Sequence, residues 1–123
     1  MRIARLFDGR DEAGRFRIDP GRPRLDDPGE RERLAKFLAA GFVVVRIPGL
    51  HEDVLDPDRP RRAPMSTHTD GTWIWSAAMR YFLLEHGIAP EPDFLAHIRA
   101  SDYVPHRPTA DEQRAVAEFL RDR

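Results

Sequence analysis

The chain has 123 residues, 20 of them Lys or Arg and 21 Asp or Glu, a formal net charge of −1 and no cysteine. That length suits one domain spanning residues 1–123, and 41% hydrophobic residues argue against disorder. Without cysteine there is no thiol nucleophile, thiolate metal site or disulfide, and the near-zero charge supplies no global field toward nucleic acid.

The basic residues are unevenly spread. Arg2, Arg5, Arg10, Arg15, Arg17, Arg22 and Arg24 crowd the N-terminal end, Arg59, Arg61 and Arg62 cluster beside Pro60, and Lys36 is the only lysine. Lacking interleaved aromatics, these arginines read as solvated surface, so nucleic acid is not an expected partner. Arginine interrupts the apolar residues of Met1–Arg10 too soon for a signal-peptide core, and no stretch approaches a membrane span, so a cytoplasmic location is expected.

Arg2–Phe7 and Arg15–Ile18 are β-prone runs around a polar, glycine-containing loop, which predicts an opening hairpin. Its arginine-rich edge is a candidate for self-association into a homodimer. Asp19-Pro20-Gly21-Arg22-Pro23 breaks regular structure and is expected to cross the surface. A helix start follows, with Asp27 as N-cap, Pro28 at the first helical position and Glu30 placed to close a capping box. Leu34, Phe37 and Leu38 give this helix an apolar face, and Gly41 supplies its stop. Phe42–Ile47, rich in β-branched residues, predicts a central strand covered on both faces. Residues 50–64 form a proline- and charge-rich irregular excursion.

Asp70-Gly71 between β-prone runs predicts a two-residue type I′ turn. In that register His68 pairs with Trp73 and Ser66 with Trp75, the two indoles share a face with His68, and Asp70 sits at the tip, aimed away from them. Ser76 is placed to cap a helix running to about His86, stopped by Gly87, with an apolar face of Tyr81, Phe82, Leu84 and Ile88. Pro92 opens a short helix carrying Phe94, Leu95 and Ile98. Thr109 and Glu112 form a second capping box before a stripe of Val116, Phe119 and Leu120. This order predicts an α+β fold: a small, largely antiparallel sheet of about five short strands, three to four helices on one face, and a mainly helical C-terminal half.

Chemistry concentrates in the hairpin. One role for its ring-bearing face is packing, with Trp75 in the core. The other is an exposed recognition patch, giving His68, Asp70, Trp73 and Trp75 as candidate binding residues. His51-Glu52-Asp53 lacks a third metal ligand and reads as a solvated loop, and the chain has neither a Gly-x-Ser-x-Gly elbow nor a phosphate-cradling glycine loop.

Phe42–Ile47 followed by His68-Thr69-Asp70-Gly71 resembles the opening of the TauD-type iron(II) and 2-oxoglutarate dioxygenases. That resemblance implies His68 and Asp70 as iron ligands, a third ligand from His97 or His106, and a double-stranded β-helix of about eight strands. Helices are expected here where that fold places its later strands. Thr69-Asp70-Gly71-Thr72-Trp73-Ile74-Trp75, with Tyr81-Phe82, His86-Gly87-Ile88 and Pro92-Asp93-Phe94-Leu95, resembles short bacterial proteins with a Thr-Asp-Gly-x-Trp-x-Trp core. Some of these are similar to immunity or accessory proteins of polymorphic-toxin systems. This second resemblance implies a non-enzymatic module with a protein partner and no cofactor, which is the favoured expectation; a small metal-dependent enzyme using His68 and Asp70 is the alternative.

Overall fold

A computed structural model describes residues 1–123. The chain opens with β1 (Arg2–Ile3), a ribbon of β2 (Gly9–Arg10) and β3 (Phe16–Arg17), helix α1 (Pro28–Ala40) and β4 (Phe42–Val45). A second ribbon, β5 (Leu50–His51) with β6 (Ala63–Pro64), closes the excursion, and β7 (Thr67–Thr69) and β8 (Trp73–Ser76) form the hairpin. Helices α2 (Ala78–His86), α3 (Pro92–Ala100) and α4 (Ala110–Arg121) complete the fold. The main sheet has the order β1-β8-β7-β4, with β1 parallel to β8 and the other pairs antiparallel. The fold is α+β, its main sheet mixed and four-stranded. No helix is long and apolar enough to cross a membrane.

Local signals set the helices. Asp27 accepts the Gly29 N–H at 2.9 Å with Pro28 behind it, Thr109 and Glu112 complete their capping box, and Gly87 stops α2 with φ of 70°. Ser76 accepts the Ala78 N–H at 3.1 Å. Glu30 departs from expectation. Its carboxylate closes no capping box but takes Arg99 in a fork, at 2.9 and 2.7 Å, together with the Tyr103 hydroxyl, so it ties α1 to the end of α3. Tyr103 reaches it from a left-handed backbone, φ 61°, with the Arg33 guanidinium over its ring.

The sheet departs further. Arg2–Phe7 does not pair with Arg15–Ile18: β1 joins β8, and the ribbon partner of β3 comes from the expected loop. The pairing of β1 with β8 spans some 70 positions, which local pattern does not reveal. The expected central strand is an edge strand, with Phe42 37% and Val45 40% exposed. The 19–23 segment does not simply cross the surface, because the Arg22 guanidinium is buried and donates to the carbonyls of Leu6, Arg5 and Ala89 at 2.6, 3.2 and 3.1 Å. Leu84 and Phe119, assigned to buried faces, are exposed.

The hairpin turns one residue later than Asp70-Gly71. Thr69 pairs with Ile74 and His68 with Trp75, leaving Gly71-Thr72 as the central residues, and only Gly71 has positive φ, 92°, as a type II′ turn requires. Asp70 prefers the preceding position because its carboxylate there accepts the N–H groups of Thr72 and Trp73, at 3.0 and 2.8 Å.

Trp75, Phe37 and Phe94 pack at the centre of the apolar cluster, each indole or phenyl pair 5.4 to 6.3 Å apart. Gly41 lies directly beneath the Trp75 ring, and a Cβ there overlaps its carbons. Its φ of −60° is ordinary, so glycine is needed for space, not for a left-handed stop.

Two outcomes follow from these ties. Gly41→Ala is expected to destabilise the fold by about 2–3 kcal/mol through overpacking, measured by urea unfolding, whereas Gly21→Ala, which meets nothing, stays within about 0.5 kcal/mol of wild type. The bonds from Arg99 and then Tyr103 hold the Glu30 carboxyl at about 2, against 4.5 ordinarily. A depressed carboxyl stabilises the fold fully above its unfolded pKa and loses that contribution as pH falls toward the folded value. Glu30→Gln therefore costs about 1–2 kcal/mol at pH 7, Arg99 being half exposed, and its deficit against wild type shrinks between pH 4.5 and about 2. A deficit independent of pH contradicts the assignment.

Candidate functional site

The four residues singled out in the hairpin come together, but inside the molecule. Trp73 is 4% exposed, Trp75 1%, Asp70 1% and His68 9%. The exposed patch expected of them is not formed. Helix residues Phe37 and Phe94 cover the face that carries both indoles and His68, and the one-residue change of register adds Asp70 to it, opposite Trp73. Trp73 packs on Phe94 with Arg2 over its other side, 4.3 Å from the ring centre, and Trp75 donates its indole N–H to the Leu38 carbonyl at 3.0 Å.

Asp70, expected to aim away from this face, accepts the His97 Nε2–H at 2.6 Å with its second oxygen. The other histidine considered as a third ligand, His106, bonds Glu112 at 3.0 Å on the surface. No three His, Asp or Glu side chains converge as a metal-binding group, and a four-stranded mixed sheet is not the double-stranded β-helix that the dioxygenase resemblance implies.

Asp53, expected in a solvated loop, is instead a buried anchor. It accepts the Tyr81 hydroxyl at 2.8 Å and His86 Nε2–H at 2.7 Å with one oxygen, and the Leu55 N–H at 2.9 Å with the other. Burial pushes its carboxyl up, but these three bonds outweigh burial and hold it below the ordinary aspartate value. Arg59 adds a bridge to Glu85 at 2.9 Å. The excursion is thus latched onto α2 at two points.

Beside the latch lies a cleft of about 550 Å³ between the C-terminal end of α1, one side of α2, the β4–β7 pair and the end of the excursion at Arg62 and Pro64. Leu38, Val43, Ala77 and Leu84 make its floor, and His68 and Ser66 edge in from β7. Arg46, Arg62 and Arg80 reach it from three separate elements, and no guanidinium bond or ion pair engages any of them within the protein. Its only carboxylate, Glu85, is already held by Arg59. His68 is therefore the one hairpin candidate that lines this cleft. Sequence reasoning noted Arg62 only as part of a solvated cluster and passed over Arg46 and Arg80; the one signal was Arg46 breaking an otherwise apolar strand. The chain matches no family model, no curated protein and no solved structure.

If the Asp53 latch holds the excursion in place, Asp53→Ala frees residues 52–62. Limited trypsinolysis at Arg61 and Arg62 is then expected to run about tenfold or more faster than in wild type, while the hairpin core stays protected. Unchanged cleavage rates refute the latch.

Proposed function

We propose that this chain is a non-enzymatic module that neutralises or assists a partner protein, docking it on the face formed by the arginine-rimmed cleft and the open edge of β4. The observation that carries this reading is the cleft, where the exposed Leu84 and three arginines without partners stand together. Apolar floor and cationic rim are two components of a protein-recognition surface, and arginine is enriched among residues that dominate such interfaces. The neighbouring edge strand, with Phe42, Val45 and Ile47 exposed, extends the apolar area without covering it.

The buried polar groups support binding over catalysis. Asp53, Asp70 and Glu30 each accept three hydrogen bonds from within the fold, and none of the donors is a serine, threonine or lysine side chain. The resemblance of Thr69–Trp75 to immunity and accessory proteins points the same way, though its residues serve the core and the docking face lies beside them.

Arg46, Arg62 and Arg80 are exposed, so charge reversal leaves the fold intact. Arg46→Glu/Arg80→Glu is expected to melt within about 2 °C of wild type. Immobilised wild-type protein retains a stoichiometric partner from a lysate of its own organism, and the double variant weakens that association by about 100-fold, tenfold per arginine. A partner held equally by both proteins sinks this docking face, and a turnover of small molecules by the purified chain sinks the non-enzymatic reading.

A further inference from the structure

The chemistry of the cleft narrows what can occupy it. Arg46 ends the β4 run, Arg62 precedes β6 and Arg80 lies on α2, yet all three line one concavity. Bringing like charges into a recess with an apolar floor concentrates positive potential there, and nothing within the protein offsets it, since Glu85 is bonded to Arg59. An anionic occupant supplies the missing charge. The floor of Leu38, Val43 and Leu84 asks in addition for an apolar group, which a bare inorganic anion does not provide.

His68 adds a directional element. Its Nδ1 lies 2.9 Å from the Gly41 carbonyl, and a carbonyl only accepts, so Nδ1 carries the hydrogen. In that tautomer Nε2 is the acceptor, it has no partner within the protein, and the residue lines the cleft. Stacking on Trp75, at 6.1 Å between ring centres and 11° between planes, holds the ring in that orientation. A free, oriented acceptor beside an apolar floor suits a main-chain N–H.

Resting on the reading of the chain as a protein-binding module, we infer that the cleft takes an extended acidic segment of the partner. Two of its carboxylates engage Arg46, Arg62 and Arg80, an apolar side chain between them lies on the floor, and a backbone N–H donates to His68 Nε2. A volume of about 550 Å³ falls within the range of roughly 300–1,000 Å³ typical of ligand sites, enough for a few residues of such a segment. Nucleic acid fits less well: the one aromatic at the rim, Tyr81, directs its hydroxyl to Asp53 and offers no free platform for a base.

The probe is a random heptapeptide library displayed against the full chain, followed by fluorescence anisotropy of the enriched peptides. Enriched sequences are expected to place Asp or Glu on both sides of an apolar residue. Replacing those acids by Asn or Gln weakens binding about tenfold per carboxylate, and raising salt weakens it further. Arg46→Gln, Arg62→Gln and Arg80→Gln each cost about three- to tenfold without shifting the melting temperature, and His68→Phe, which keeps the stack on Trp75, loses the main-chain bond and a few-fold in affinity. Enrichment without acidic bias, equal binding by the arginine variants, or tighter binding of a single-stranded oligonucleotide overturns the inference. A partner protein captured through this face by a neutral segment also overturns it while leaving the binding-module reading standing. Acidic peptides that bind in the cleft when no partner depends on it leave its preference for acidic segments standing but overturn both the partner assignment and that reading.

Discussion

The indole of Trp75 occupies the space that any side chain on Gly41 would need, and this exclusion joins the hairpin to the first helix. The indole N–H reaches the Leu38 carbonyl and the opposing His68 reaches the Gly41 carbonyl, so two residues facing each other across β7 and β8 satisfy two carbonyls at the C-terminal end of α1. Helix ends leave such carbonyls without intrahelical partners, and here the sheet supplies them where a left-handed glycine cap otherwise would. A slip of one residue in the hairpin would turn Trp75 to the other face and lose both bonds together with its packing on Phe37 and Phe94. Register, helix end and core are therefore one constraint.

Strands of two to four residues cannot hold distant segments by backbone ladders alone, and in this chain charged side chains take over that task. Arg22 gathers the carbonyls of the first strand's extension and of Ala89, Glu30 binds the end of α3, Asp53 latches the excursion to α2, and Asp70 joins the turn to His97. Each is buried with its hydrogen bonds complete, and no buried side-chain polar atom lacks a partner. The same bonds that make these groups effective ties hold each carboxylate in place and leave it few free lone-pair sites.

What the sequence made legible was what neighbouring residues decide among themselves. Asp27-Pro28, Gly87 and the Thr109–Glu112 box act within one helical turn, and all stand where their spacing placed them. The pair Asp70-Gly71 favours a type I′ turn, but the aspartate gains more by accepting two N–H groups from just outside it. Glu30 has capping-box spacing, yet an arginine and a tyrosine about 70 positions away outcompete one backbone N–H. Phe42–Val45 is apolar enough for a central strand, and only the strand order shows that it has a single neighbour. The cleft was the least legible feature, since its three arginines meet only when β4, β6 and α2 are assembled; of the residues nominated beforehand, His68 alone reaches it.

Several arginines of the folded chain meet carboxylates and the three in the cleft do not, and the contrast bears on what the cleft is for. Arg2, Arg22, Arg59 and Arg99 each meet a carboxylate from a distant part of the sequence, so the fold has acids to spare for pairing. Arg46, Arg62 and Arg80 share a recess in which the one acid is already taken. Part of this has another physical purpose: a charge near an exposed apolar edge strand discourages pairing with further strands, and Arg46 serves β4 in that way. Gatekeeping alone, however, is satisfied by a charge anywhere along the edge and directed to solvent. It does not require Arg46 to line a concavity, nor Arg62 and Arg80 to join it over a floor of leucine and valine.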